Sequence, residues 1–172
     1  MAQYGNYKER SMTYKTSSKR LMEFNVFSRS RAKKESYKLD KPTIISSITD
    51  PDKEINVFAK NPNLVSVCRV SFDDTEPDFL LKGEVLMTEN DATKIKDFVM
   101  AYKDIVEQII VHCEAGISRS AGTCAAIMKY MTGDDSPIFN SRKFCPNMHC
   151  YRLTLNALMD VPAGSAFGEI EK

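Results

Sequence analysis

Apolar residues fall into short runs along the chain, and their spacing predicts the elements. Phe24-Asn25-Val26-Phe27 reads as a first strand and Thr43-Ile44-Ile45-Ser46-Ser47-Ile48 as a second. The second ends at Thr49-Asp50-Pro51-Asp52, a turn-forming run. Leu64 to Phe72 alternates apolar and polar positions, the period of a strand, and enters the acidic loop Asp73-Asp74-Thr75-Glu76-Pro77-Asp78. The period then becomes helical. Thr88-Glu89-Asn90-Asp91 is a capping-box variant, and Ile95, Phe98, Val99 and Tyr102 share one face of a helix expected to run to about Glu107. Ile109-Ile110-Val111 is a buried strand. Ser120 to Met131 is a helix that Gly133 stops, Ser136-Pro137 opens a short helical turn, and Asn147 caps a last helix through Met159.

Strands alternating with helices predict an α/β domain with a mostly parallel central sheet of about four to five strands, flanked by helices on both faces. In such a sheet the functional loops gather at the carboxyl ends of the strands. The loops after Ile48, Phe72 and His112 are therefore expected on one side, two of them rich in Asp and the third holding Cys113. No repeat or internal domain boundary is seen. Residues 1–20 are polar and basic with no apolar period, which predicts a flexible segment; 21–162 form the domain, and 163–172 a flexible tail.

Composition narrows the function classes. A net charge of +1 gives no strong field for nucleic acid or anionic membrane. Arg29, Arg31, Lys33 and Lys34 extend the basic N-terminal run, read as solvated charges, with a basic arm for acidic partners as the alternative. No apolar run is long enough to span a bilayer, and no leader is seen, so a cytoplasmic location is expected. Five cysteines at irregular spacing are not a disulfide framework. Cys145 and Cys150 flank His149 without matching a zinc pattern, so no metal is expected.

The chemistry concentrates in Ile109 to Ser120, IIVHCEAGISRS: strand, tight loop, helix start. A loop turned by Gly116 can aim successive backbone N–H groups, together with a helix N-terminus, at one anion. Arg119 adds a planar bidentate cation suited to a phosphoryl group. Cys113 lies at the floor of this cradle, where the same dipoles stabilise a thiolate. A thiolate beneath a bound tetrahedral anion is set for in-line attack on phosphorus and a phosphocysteine intermediate. The leaving oxygen then needs a proton from a carboxylic acid on a neighbouring loop. Ser120 is placed to hydrogen-bond the thiolate expelled in the second step. No cofactor is required.

VHCEAGISRSAG, Val111 to Gly122, resembles the signature of the cysteine-dependent protein tyrosine phosphatases, HC-x5-R-[ST]. Within that superfamily it is most similar to the dual-specificity phosphatases, whose loops read HC-x-x-G-x-SRS. The resemblance is dense over about Val111 to Met131, and Pro146-Asn147 before a last helix adds to it. It implies Cys113 as nucleophile, Arg119 as phosphate clamp, and Glu114, Ala115, Gly116, Ile117 and Ser118 with Arg119 as the phosphate-binding loop. It also implies that Ser120 assists thiolate departure and that His112 orients the loop, a merely buried ring being the alternative. The family's general acid is an upstream Asp. Asp74, Asp73 and Asp78, at 39, 40 and 35 residues before Cys113, are the candidates in that order.

Departures from the family narrow the substrate. No Gln-rich loop or tyrosine-recognition loop of the large tyrosine-specific enzymes is found. No basic residue precedes Arg119 in the loop, which favours phosphoprotein over phosphoinositide. The short chain implies a shallow site open to phosphoserine, phosphothreonine and phosphotyrosine. A phosphatase for RNA 5′ ends or nucleotides, or a phosphate-binding module with little turnover, are the alternatives. A cysteine protease needs a histidine base, and His112 beside Cys113 should point to the opposite side of its strand. A serine-hydrolase elbow fails because Gly116-Ile117-Ser118-Arg119-Ser120 lacks the closing Gly.

Overall fold

A computed structural model describes residues 11–161. The remainder of the expected N-terminal segment and the C-terminal tail lie outside the described residues. Five strands form one sheet: β1 (Met12–Lys15), β2 (Leu21–Ser28), β3 (Thr43–Thr49), β4 (Leu64–Ser71) and β5 (Gln108–Cys113). Their order is β1-β2-β5-β3-β4. β1 is antiparallel to β2, and all other pairings are parallel. The helices are α1 (Arg29–Ser36), α2 (Glu89–Tyr102), α3 (Arg119–Thr132), α4 (Ser136–Phe139) and α5 (Met148–Leu158). This is the mixed, mostly parallel α/β sheet expected from the apolar pattern.

β5 lies in the middle, and all six of its residues are buried. Alternate residues Ile109, Val111 and Cys113 join the large core with α2, α3 and α5, while Ile110 packs with Phe27, Ala32, Leu39 and Ile45 on the α1 face. Ile109, Ile110 and Val111 are all fully buried, each contributing about 1.5–3 kcal/mol of transfer free energy. α3 packs tightly because, after Arg119, its first two turns are small residues. A Cβ on Gly122 would sit 2.3 Å from the Asn147 carbonyl oxygen, so α3 and the start of α5 meet almost backbone to backbone.

Three elements differ from the sequence expectation. β1 falls inside the 1–20 stretch read as loosely attached. Met12 and Tyr14 are its only inward positions, too few to give a period, yet β2 pairing and a Ser17 N–H bond to the Met131 carbonyl (2.8 Å) tie it down. The basic residues from Arg29 to Lys34 form α1. Only Ala32 and Ser36 of that helix are buried, so it has no apolar stripe; Ser28 caps it by accepting from the Arg31 N–H. α2 ends at Tyr102 instead of near Glu107. Val106 turns into the core, and the N–H groups of Glu107 and Gln108 bond the Pro42 carbonyl to begin β5.

Candidate active site

The register of the parallel strands brings their carboxyl ends to one edge: Ser28 of β2 lies opposite Cys113 of β5, with Thr49 and Ser71 at the ends of β3 and β4. From Cys113 the chain turns through Glu114 to Ser118 into α3. The carbonyls of Glu114, Ile117 and Ser118 accept from the N–H groups of Arg29 (3.1 Å), Cys145 (3.0 Å) and Asn147 (3.1 Å) outside the loop. In a planar trans peptide the next N–H points the opposite way. The amides of Ala115, Ser118 and Arg119 therefore face inward, and Gly116 N–H reaches the Cys113 sulfur at 3.3 Å. Gly116 has φ +71°, and the loop lies so close to β2 that a Cβ there would sit 2.4 Å from backbone atoms of Phe27 and Ser28. Only glycine fits.

Cys113 is buried, with Ser120 Oγ 3.0 Å from its sulfur. The Gly116 N–H and the Ser120 hydroxyl thus converge on one sulfur. Elsewhere in the core, burial pushes the Cys124 thiol up to about 12 and also raises Cys150. Arg119 is 3% exposed. Its Nη1 donates to the Phe72 carbonyl (2.6 Å) and its Nη2 pairs with Asp50 Oδ1 (2.7 Å). Its Nε is buried and has no acceptor among the described residues. A buried cation normally satisfies its donors, so this one is available to an anion in the cradle.

The three candidate acids separate clearly. Asp74 Oδ1 accepts from Ser118 Oγ of the loop (2.8 Å) and from Asn147 Nδ2 (3.1 Å). Asp73 faces away, its carboxylate accepting from the Val85 N–H at 2.8 Å. Asp78 is exposed in the short 3₁₀ turn Pro77–Phe79. Glu76 accepts from the Met148 N–H (3.0 Å), closing the start of α5. Asn147 also donates to the Thr75 carbonyl and caps the Cys150 N–H, so it joins the acidic loop to α5. Asp50 and the link that Asn147 makes to Asp74 are contacts that sequence reasoning missed: the first read only as a turn residue, the second as a helix cap and part of the family resemblance. Position at a strand's carboxyl end was the one signal available for Asp50. Glu114, Ala115 and Ile117 are exposed around the rim. Among the described residues no group of three or more His, Cys, Asp or Glu is placed to hold a metal ion.

No protein-family model matches the chain, and a search of curated proteins finds no match. Solved structures do match in shape. A mouse putative dual specificity phosphatase complexed with zinc tungstate superposes with a TM-score of 0.56 at 14% identity, over 81% of this chain and 83% of that one. Human DUSP28 gives 0.56 at 16% identity, over 83% of this chain and 95% of that one. PTPMT1 in complex with PI(5)P gives 0.50 at 15% identity, over 85% and 94%. The chain has the dual-specificity phosphatase fold.

On this phosphatase fold His112 lies on the opposite face of β5 from Cys113, fully buried against Phe58. Its Nδ1 donates to the Cys113 carbonyl (3.3 Å), so Nε2 is the acceptor, taking the Ser47 hydroxyl at 2.7 Å. Burial, helped by Arg29, Arg69 and Arg119, lowers its pKa to about 4 against the opposing carbonyl bond. The ring is neutral at physiological pH and braces the backbone of the loop's first residue. The unfolded ring titrates near 6.5, so between 6.5 and about 4 the unfolded chain binds a proton that the folded one does not. Stability is full above that window and falls as pH drops through it, by an amount on the order of 3 kcal/mol. Urea unfolding of wild type should show this slope and His112→Asn a shallower one; equal slopes would contradict it. Among the described residues no helix is long and apolar enough to cross a membrane.

Proposed function

We propose that this protein hydrolyses phosphomonoesters through a phosphocysteine on Cys113, with phosphorylated tyrosine, serine and threonine in proteins as substrates. One observation carries the reading: a buried sulfur, met by the Gly116 N–H and the Ser120 hydroxyl, lies at the floor of an inward-facing amide loop that ends in a buried arginine with an unassigned donor. The phosphoryl oxygens take the loop amides and Arg119. The Cys113 thiolate attacks phosphorus, the phosphorus–oxygen bond breaks, and the leaving oxygen takes a proton from Asp74. In the second step Asp74 accepts a proton from water as that water attacks phosphorus. The thiolate departs with a hydrogen bond from Ser120, and inorganic phosphate is released. His112 acts through the backbone of Cys113 and takes no part in proton transfer.

Asp74 is preferred as the acid because two donors hold its carboxylate against the loop, while Asp73 is engaged with Val85. Asp74→Asn should lower kcat by roughly 10²-fold or more for substrates with poor leaving groups, as loss of a general acid does. Asp73→Asn should fall much less. The reverse order would move the acid by one residue.

The fold neighbour PTPMT1 in complex with PI(5)P raises a phosphoinositide as a second reading. Charge argues against it. Asp52, Glu54, Asp74, Asp78 and Glu114 are exposed on the loops after β3, β4 and β5, against Lys53, Lys60 and Lys82, and this acidic excess repels a multiply charged headgroup. Purified protein should turn over phosphotyrosine and phosphothreonine peptides faster than phosphoinositide or 5′-triphosphate RNA. Turnover of only the RNA or only the lipid would overturn the protein-substrate reading.

A further inference from the structure

The acidic turn after β3 carries a residue with a task at the site. Asp50 follows Thr49, the last residue of β3, and precedes Pro51, which disfavours helical backbone at Asp50. The Asp50 carbonyl accepts from the Lys53 N–H at 3.1 Å, closing the turn. Its carboxylate meets Arg119 Nη2 at 2.7 Å, and the side chains are only 22% and 4% exposed. The guanidinium is a rigid plane. Its other terminal nitrogen, Nη1, is fixed by the Phe72 carbonyl. These two anchors form one unit, because the Phe72 N–H bonds the carbonyl of Thr49, the neighbour of Asp50 (3.1 Å). Two corners of the plane are thereby set by the ends of two adjacent strands, and Nε, buried and without an acceptor among the described residues, is the corner left over.

We infer that Asp50 is a positioning residue for Arg119: it fixes the guanidinium plane so that Nε and the free hydrogens of the terminal nitrogens meet a bound oxyanion. A carboxylate beside an anion site opposes anion binding by its charge. What it contributes is therefore placement. The inference rests on the phosphatase reading for its catalytic consequence, but its oxyanion consequence does not need turnover.

Two variants separate placement from charge. Asp50→Asn keeps the side-chain length and an acceptor for Nη2 and removes the charge. Asp50→Glu keeps the charge and pushes the anchor out by about one carbon–carbon bond, a misplacement that costs up to about 10²-fold when it reaches a reacting centre. Tungstate affinity by calorimetry, kcat and KM for para-nitrophenyl phosphate, and thermal midpoint should be measured for each. Placement predicts that Asp50→Asn, which keeps the anchor and removes an opposing charge, binds tungstate within about threefold of wild type, whereas Asp50→Glu weakens it at least about tenfold with a matching loss in kcat/KM, at similar thermal midpoints. If Asp50→Glu fails to fold, Asp50→Ser, which withdraws the anchor, should show the same loss as expected for Glu. Wild-type tungstate affinity in Asp50→Glu, or an Asn variant as impaired as the Glu variant, would overturn the inference. If wild type binds tungstate but hydrolyses no phosphomonoester, the phosphatase reading fails, and the tungstate affinities still decide the role of Asp50.

Discussion

Cys113→Ser is expected to abolish turnover of para-nitrophenyl phosphate while tungstate still binds. A serine hydroxyl in the same place stays protonated near neutral pH and has no base within reach to activate it, since His112 lies on the other face of β5 and is bonded to Ser47. The cradle is unaffected, because the inward amides and Arg119 depend on carbonyl contacts to Arg29, Cys145 and Asn147 and on the anchors at Asp50 and Phe72. The step lost is the formation of the sulfur–phosphorus bond. Removal of a nucleophile of this kind lowers kcat by at least about 10⁴-fold. Steady-state assay and calorimetry on one preparation check both halves. Turnover near the wild-type rate would exclude Cys113 as nucleophile, and loss of tungstate binding would mean the cradle depends on the sulfur.

Gly116→Ala should be the most damaging conservative change in the loop. Two costs combine. A left-handed φ of +71° is unfavourable for alanine, by about 1–2 kcal/mol. The new methyl would also sit 2.4 Å from backbone atoms of Phe27 and Ser28, which are held by their pairing with His112 and Cys113 of β5. The loop must lift instead, which breaks the Gly116 N–H contact with the sulfur and moves the inward amides. A stability loss of about 2–4 kcal/mol and a fall in kcat/KM of about 10²-fold or more are expected. Gly133→Ala is the matched control. Its φ is +79°, but nothing lies within 4 Å of its Cβ position, so it should cost about 1 kcal/mol and leave turnover alone. Equal effects of the two on kcat/KM would show that the close approach to β2 does not shape the site.

Much of the fold was legible where the physics is local. β5, the loop and α3 are contiguous, with a buried run, a turn glycine and a helix stop at Gly133, and the expected helix from Ser120 to Met131 differs from α3 by one residue at each end. α5 likewise announced itself by the Asn147 cap. α1 gave no signal because its charges surround it; it is held by the Ser28 cap and by Arg31 stacked 4.5 Å over Phe27. β1 is a short edge strand whose partner fixes it more than its own residues do.

The site divides in the same way. The loop residues are neighbours in sequence, so their convergence could be anticipated. The acid could only be ranked, because spacing barely separates Asp73 from Asp74. What separates them is contact across long loops, with Asp74 meeting Ser118 44 residues on and Asn147 73 residues on. Asp50 has no local mark beyond a turn, and its pairing with Arg119 exists only after β3 and β5 lie side by side.

The covalent intermediate is the most direct test of the central claim. Wild-type protein should be quenched in acid during turnover of para-nitrophenyl phosphate, digested, and its peptides weighed. The peptide containing Cys113 should carry one added phosphoryl group, absent before substrate is added and absent in Cys113→Ser. Steady turnover with the phosphoryl group on another residue, or on none, would contradict the account.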